Sequence, residues 1–317
     1  ATHYHDLFFG FVYNVPMNWI NHIQNCIDYL ENHLTDKIDY KALEKQEYFS
    51  RYNLQKAFSL VCGISIGEYV RKRRLTLAGN DLKNKTNKVI DTALKYGYDT
   101  PESFSRAFKN FHGIPPSKVN AFSVLNSLPR FNVKLELSET SELTYEIKEL
   151  PPIKLVGYKK RFTGIPYGKE RENQENLFVT TTRAKQWLLL GASCDYSTDY
   201  IVINNVDDDG YDCYIAYKLD EPTISDLFNE NVTGVDFIDK MQFEILTIPA
   251  HTYVSFKTEK KKRPVPDYEK LRKNFVNEWL IANNVTFSNA PEIAVFHWRP
   301  SGKWDKERHI EILIPID

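Results

Sequence analysis

The chain has 317 residues, 42% of them hydrophobic, and a formal net charge of −1; that length suits two domains of ordinary size, each with its own core. No apolar run approaches the roughly 20 residues of a membrane span, and the N-terminal HYHDLFFGFVYNVP lacks the basic start of a secretion signal. Cys26, Cys62, Cys194 and Cys213 form no C-x-x-C pair and no cluster with His at metal-ligand spacing, so a reducing cytoplasm is expected and a disulfide framework, a metal site or a cofactor is not.

Charge is divided along the chain. Residues 17–128 carry a net +5 and residues 129–317 a net −5. The first half can face a polyanion, and the second is unsuited to one.

Residues 1–16 precede the helical pattern and are expected to be an N-terminal extension or an expression remnant. In WINHIQNCIDYLENHL, residues Trp19, Ile23, Cys26, Ile27, Leu30 and Leu34 recur on one stripe and predict an amphipathic helix. A short helix follows in YKALEKQ. Ser50 then reads as the N-cap of a helix running to about Cys62, with Gly63 as its stop. A long helix over about 65–83 contains the basic run RKRR (71–74). NKVIDTALKYG is a fifth helix ending at Gly97, and Thr100 caps a sixth that opens on Pro101 and is barred from continuing by Pro115 and Pro116.

The third and sixth helices are copies of one design. An offset of 50 pairs Leu54 with Phe104, Lys56 with Arg106, Ala57 with Ala107, Phe58 with Phe108, Gly63 with Gly113 and Ile64 with Ile114. Each unit is a short helix, a tight turn and a capped helix whose apolar side packs inward. The outer face of the first offers Arg51, Tyr52, Gln55 and Lys56, and that of the second Glu102, Ser103, Arg106 and Lys109. These residue types suit base edges: Arg or Lys on guanine, Gln on adenine, Glu on the cytosine amino group. A connecting helix of about 19 residues spans about 28 Å, close to the roughly 34 Å between successive major-groove openings on one face of DNA.

Residues 18–122 resemble the DNA-binding domain of AraC/XylS-type transcription regulators. Phe58, Gly63 and Ser65 match F-x-x-x-x-G-x-S; Tyr69, Arg74 and Leu75 match Y-x-x-x-x-R-L. Ala93, Gly97, Tyr98, Thr100, Phe104, Arg106, Phe108, Lys109, Gly113 and Pro116 match the second-unit signature. The resemblance places Tyr52, Gln55 and Lys56, then Glu102, Ser103 and Arg106, at base-reading positions, with the capping residues Ser50 and Thr100, Arg51 and Lys109 completing the two DNA-facing sets. The sequence departs from the pattern at Tyr48, at Gly79 in the connecting helix and at the acidic Glu102.

Beyond NSLPRFN (126–132), helical periodicity gives way to strand alternation. LTYEIKELPPIKLVGYK (143–159) aligns with MQFEILTIPAHTYVSFK (241–257) at an offset of 98. Each copy continues into a Trp-bearing helix, around Trp187 and Trp279, and then two strands. The expected organisation is an all-α double helix-turn-helix domain over 17–122, a linker over 123–140, and an α+β domain of duplicated strand–helix–strand–strand units over 141–317.

This second domain resembles the gyrase-inhibitor-like effector-binding domain. That family's acidic anchor on the penultimate strand is Ala294 here, with Phe296 at the following aromatic position. The resemblance therefore implies a small-molecule or protein sensor whose effector is not strongly cationic, and Trp187, Trp279, Phe296 and Trp298 are the expected pocket lining. EKKKRP (259–264) offers a contact to flanking DNA or to an acidic partner such as RNA polymerase, or a solvated loop.

The expected function is a non-enzymatic, sequence-specific regulator that binds double-stranded DNA and does not contact a membrane. The alternative is a gyrase-inhibitor-like hydrolase or small-molecule sequestering protein with vestigial DNA binding. Hydrolysis needs a placed acid or base, for which Glu292, His297 and His309 are the available groups near the last strands, and no catalytic residue is assigned.

Overall fold

The computed structural model describes residues 19–317 except 48–49, 85–86, 134–143, 167–168, 194, 196, 208, 276–278, 280–282, 284 and 299–306. The expected extension over 1–16 and Tyr48 lie outside the described residues.

Six helices come first: α1 (Trp19–Asn32), α2 (Tyr40–Glu47), α3 (Arg51–Cys62), α4 (Ile66–Lys83), α5 (Val89–Lys95) and α6 (Pro101–His112). The stripe of α1 is wholly inward, since Trp19, Ile23, Cys26, Ile27 and Leu30 are buried, as is Leu34 just beyond its end. Ser50 and Thr100 accept hydrogen bonds from the backbone N–H of Asn53 and Ser103, and Gly63 and Gly113 end α3 and α6 at φ 71° and 81°. Positive φ favours glycine because a Cβ there crowds the backbone.

Gly79, a costly residue in a helix interior, has a packing reason. A Cβ there would meet Leu125 Cδ1 at 2.9 Å and His112 Cε1 at 3.1 Å. His112 comes that close because its Nε2 bonds to the Leu75 carbonyl at 3.0 Å.

The basic run on α4 is mostly structural. Arg73 grips both carboxylate oxygens of Glu31 at 2.7 and 2.8 Å, with the Tyr69 hydroxyl donating to the same group. Arg74 donates to the carbonyls of Leu34 and Asp36. The segment after α6 is tied down as well: Arg73 donates to Leu128 O, Leu128 N to Thr76 Oγ1, and Val133 N to Gln24 Oε1.

The rest of the chain is an antiparallel sheet carrying helices. β1 (Tyr145–Leu150) and β2 (Ile153–Thr163) are interrupted at Pro151–Pro152, and β5 (Glu244–Ile248) and β6 (His251–Lys257) at Pro249–Ala250. Proline cannot donate to a ladder, yet the register persists across both breaks: Leu150 faces His251 and Ile153 faces Ile248. With β3 (Thr198–Asn204), β4 (Gly210–Tyr217), β7 (Glu292–His297) and β8 (His309–Pro315), the pairings β6–β8–β7–β3–β4–β2 complete a circuit, curling the sheet. Helices α7 (Lys169–Thr181) and α8 (Arg183–Ala192) follow β2, and α12 (Val265–Asn274) follows β6. Three short helices, α9 (Glu221–Leu227), α10 (Glu230–Thr233) and α11 (Val235–Met241), join the halves.

The duplication is visible in side chains. Tyr145 meets Phe256 at 6.2 Å and its equivalents Phe243 and Tyr158 meet at 6.4 Å; Lys257 approaches Glu146 at 3.7 Å as Lys159 approaches Glu244 at 3.1 Å. The expected α + (α+β) architecture is the one observed. Among the described residues, no helix is long and apolar enough to cross a membrane.

Two cores divide the helical region unequally. Leu75, Ala78, Leu82, Ala93, Tyr96, Phe104 and Phe108 form a cluster of their own under the second unit. Leu54, Ala57, Phe58 and the α1 stripe belong instead to a cluster that runs on into Phe256, Phe287, Phe296 and Ile312 of the sheet. The Trp19 and Phe287 rings make the join at 5.9 Å.

Candidate DNA-binding faces

On α6, burial of Phe104 and Phe108 turns the opposite side outward, and Glu102, Ser103, Arg106 and Lys109 are all exposed. Thr100 Oγ1 accepts from Ser103 N at 3.1 Å while Ser103 Oγ donates to Thr100 O at 2.8 Å, so the first turn is closed by two side-chain hydrogen bonds. Tyr98 packs edge-on against Phe104 at 5.3 Å and fixes the approach to the helix.

The matching face of α3 is not free. Ser50 and Arg51 are exposed, the latter with its guanidinium over the Tyr40 ring at 4.2 Å. Tyr52 and Gln55 are half-buried and Lys56 is only 9% exposed. The Lys56 ammonium lies 4.7 Å from the centre of the Phe287 ring and 3.5 Å from the Tyr52 hydroxyl. Burial pulls its pKa down to about 8, against the attraction of Glu292 and Asp317 and with the repulsion of Arg272. Tyr52, Gln55, Lys56 and Ser59 line one crevice with Pro166, Asn204, Asn205, Asp207, Asn289 and Glu292 of the sheet domain.

Glu292 is only 6% exposed. Burial alone would raise its carboxyl, but Arg272, Arg171 and Lys56 hold it below its ordinary value, with Arg272 Nη1 at 2.5 Å. It is engaged by an arginine network. His297 and His309 stack on each other at 4.3 Å, beside Glu311. The three groups considered for hydrolysis are thus divided between two environments.

The four aromatics expected to line one pocket do not converge. Trp187 on α8 is 72% exposed, whereas its counterpart Trp279 is 4% exposed and packs with Tyr145, Phe256 and Phe275. Phe296 and Trp298 stack at 5.7 Å. The repeat in sequence carries no statement about which face of the helix each copy buries, and that is why it misleads for Trp187.

Sequence reasoning also missed Asp199, which accepts a hydrogen bond from Trp298 Nε1 at 2.7 Å and whose carboxyl is pushed up to about 6, chiefly by burial. Its only advance signal was its place in the strand YIVINN region, one residue ahead of the apolar run.

Paired helices, each capped at a fixed turn and joined by an 18-residue rod, define a helix-turn-helix DNA-binding protein. Residues 44–121 match the family described as a helix-turn-helix domain. The transcriptional activator AarP of Providencia stuartii is 34% identical over 95 residues, 30% of this chain and 70% of AarP. The regulatory protein SoxS of Salmonella typhimurium is 32% identical over 95 residues, 30% of this chain and 89% of SoxS. The chain belongs to this family, the AraC-type helix-turn-helix transcription regulators, and DNA is its partner. Among solved structures, SAV2435 bound to tetraphenylphosphonium aligns with 55% of this chain and 94% of its own at TM-score 0.40 and 15% identity. A likeness that slight carries no functional argument.

Proposed function

We propose that α3 and α6 are the two reading heads of a sequence-specific regulator, entering successive major grooves of one DNA duplex, with the sheet domain as its sensor. The observation that carries this reading is the α6 face: Arg106 and Lys109 stand in the open on a helix held by a double cap. The rod α4, with 18 residues, is about 27 Å long at 1.5 Å per residue. Arg106 would pair with a base edge, Lys109 and Arg51 with phosphates, and Gln55 and Tyr52 would read through α3.

For the sensor, the half-buried Trp298 ring, backed by the buried Phe296, suits a small effector that is not strongly cationic. The exposed Lys260, Lys262 and Arg263 of the loop before α12 suit an acidic partner such as RNA polymerase.

The test is selection of bound duplexes from a random pool at two salt concentrations, with wild type and a Gln55→Ala, Arg106→Ala double mutant. Two short elements about one helical turn apart, lost in the mutant, are expected, with affinity falling steeply as salt rises because phosphate contacts release counterions. Absence of any enriched site would refute the two-headed reading.

A further inference from the structure

We infer that the sheet domain is an autoinhibitory cover for the first reading head, so that this conformation presents DNA with one helix-turn-helix and withholds the other. The inference rests on the proposal that α3 reads bases. Tyr52, Gln55 and Lys56, the three side chains at its reading positions, all line the crevice shared with the sheet domain, and none of them is fully exposed. A DNA groove needs that same face, so the sheet domain and the duplex exclude each other on α3. The corresponding face of α6 meets no such obstruction, with Glu102, Ser103 and Arg106 all exposed.

The cover is built to release. Its apolar latch is the join of Trp19 and Phe287, which belongs to a continuous core and favours closure. Against it works Lys56, only 9% exposed, whose ammonium rests on an aromatic ring and a long hydroxyl contact. Glu292, the acid that attracts it, is already engaged by Arg272 at 2.5 Å. An ammonium buried without its own ion pair is costly, and a phosphate would recover that cost. The crevice encloses only about 40 Å³, far below the roughly 300 Å³ and more of sites for drug-sized ligands. The contact is therefore a joint between two surfaces. An effector that separates them would act by exposing α3.

The experiment uses the full chain with Gln55→Cys and Asn289→Cys, the native Cys62 and Cys194 changed to Ser, and a short bis-maleimide that reductant cleaves. Both new cysteines face the same crevice. Bridging is expected to lower duplex affinity at least tenfold and to shorten the protected footprint from two elements to one, and cleavage of the bridge to restore both. A bridged protein with unchanged affinity and footprint overturns the proposal, and so does failure of the two cysteines to bridge. Gln55→Ala in the Phe287→Ala background, where α3 is uncovered, tests the underlying reading separately: unaltered site preference there would show that α3 is not a reading head. Phe287→Ala supplies a second arm. In a variant that still melts cooperatively, it is expected to raise duplex affinity at least fivefold, and unchanged affinity counts against the cover.

Discussion

The two helix-turn-helix units share a plan to the residue, and the structure treats them oppositely. Both α3 and α6, the proposed reading helices, begin at a hydroxyl cap and end at a left-handed glycine. The second has a private core and an open outer face; the first shares its core with the sheet domain and has Lys56 buried against Phe287. Periodicity thus dictates which side of a helix turns inward, while leaving undecided what meets the other side.

The largest effect that separates the units is core deletion. Phe58→Ala and Phe108→Ala remove equivalent, fully buried rings, each at a cost of about 3–5 kcal/mol. Calorimetry should show Phe58→Ala lowering the melting temperature of the whole chain, because that cluster continues into the sheet. Hydrogen exchange should show Phe108→Ala loosening mainly α5, α6 and the end of α4. Equal, global losses would mean that the cores are one cooperative unit.

Next in size is the loss of a base contact. Arg106→Ala is expected to cost about 1–3 kcal/mol at one preferred base, read by competition among single-base variants of the selected site. Gln55→Ala should cost less in the intact chain, and the two costs should draw level in the Phe287→Ala background. An equal cost from the outset would dissolve the asymmetry between the units.

A pH effect of about a tenfold change per unit at most follows from Lys56. Its pKa is lowered to about 8 in the closed arrangement, from an ordinary value of 10.5. The closed state therefore binds fewer protons than the open one between about pH 8 and 10. Closure strengthens, and duplex affinity falls, as pH rises through that window. Of the groups around Lys56, Glu292 is held below its ordinary value by Arg272 and Arg171, and Tyr52, raised by burial and by Glu292 and Asp317, opposes the slope only as pH nears 10. Affinity measured at fixed salt should lose this slope in Lys56→Met, and a slope that persists would assign it elsewhere.

The smallest expected effects are at the caps. Ser50→Ala and Thr100→Ala each remove one hydrogen bond to a helix N-terminus, worth about 1 kcal/mol. Thermal melts should register them similarly, while duplex affinity should respond more to Thr100→Ala because its helix is the exposed one.

Much of this was legible in the chain. The α1 stripe, the caps and the stops are local: they involve residues within a turn or two, and the physics that selects Ser, Thr or Gly at those positions acts over a few ångströms. The duplication at an offset of 98 was legible too, and it reappears as paired Tyr–Phe contacts and paired Lys–Glu contacts. The basic run RKRR was legible as charge but not as function, since Arg73 and Arg74 are spent on Glu31 and on the carbonyls of Leu34 and Asp36.

By itself, then, the sequence determined the six N-terminal helices, the duplicated strands, the inward faces and the two capped helices, because each of these is set by short-range periodicity and backbone chemistry; it did not disclose α7 or the short helices α9, α10 and α11. Only the tertiary structure decided that Lys56 meets Phe287, more than two hundred residues away, that Trp279 is buried while Trp187 is exposed, and that the outer face of α3 is covered while that of α6 is open. Those outcomes depend on which surfaces find each other when the sheet closes its circuit of pairings, and a contact between distant segments leaves no period or spacing in the chain.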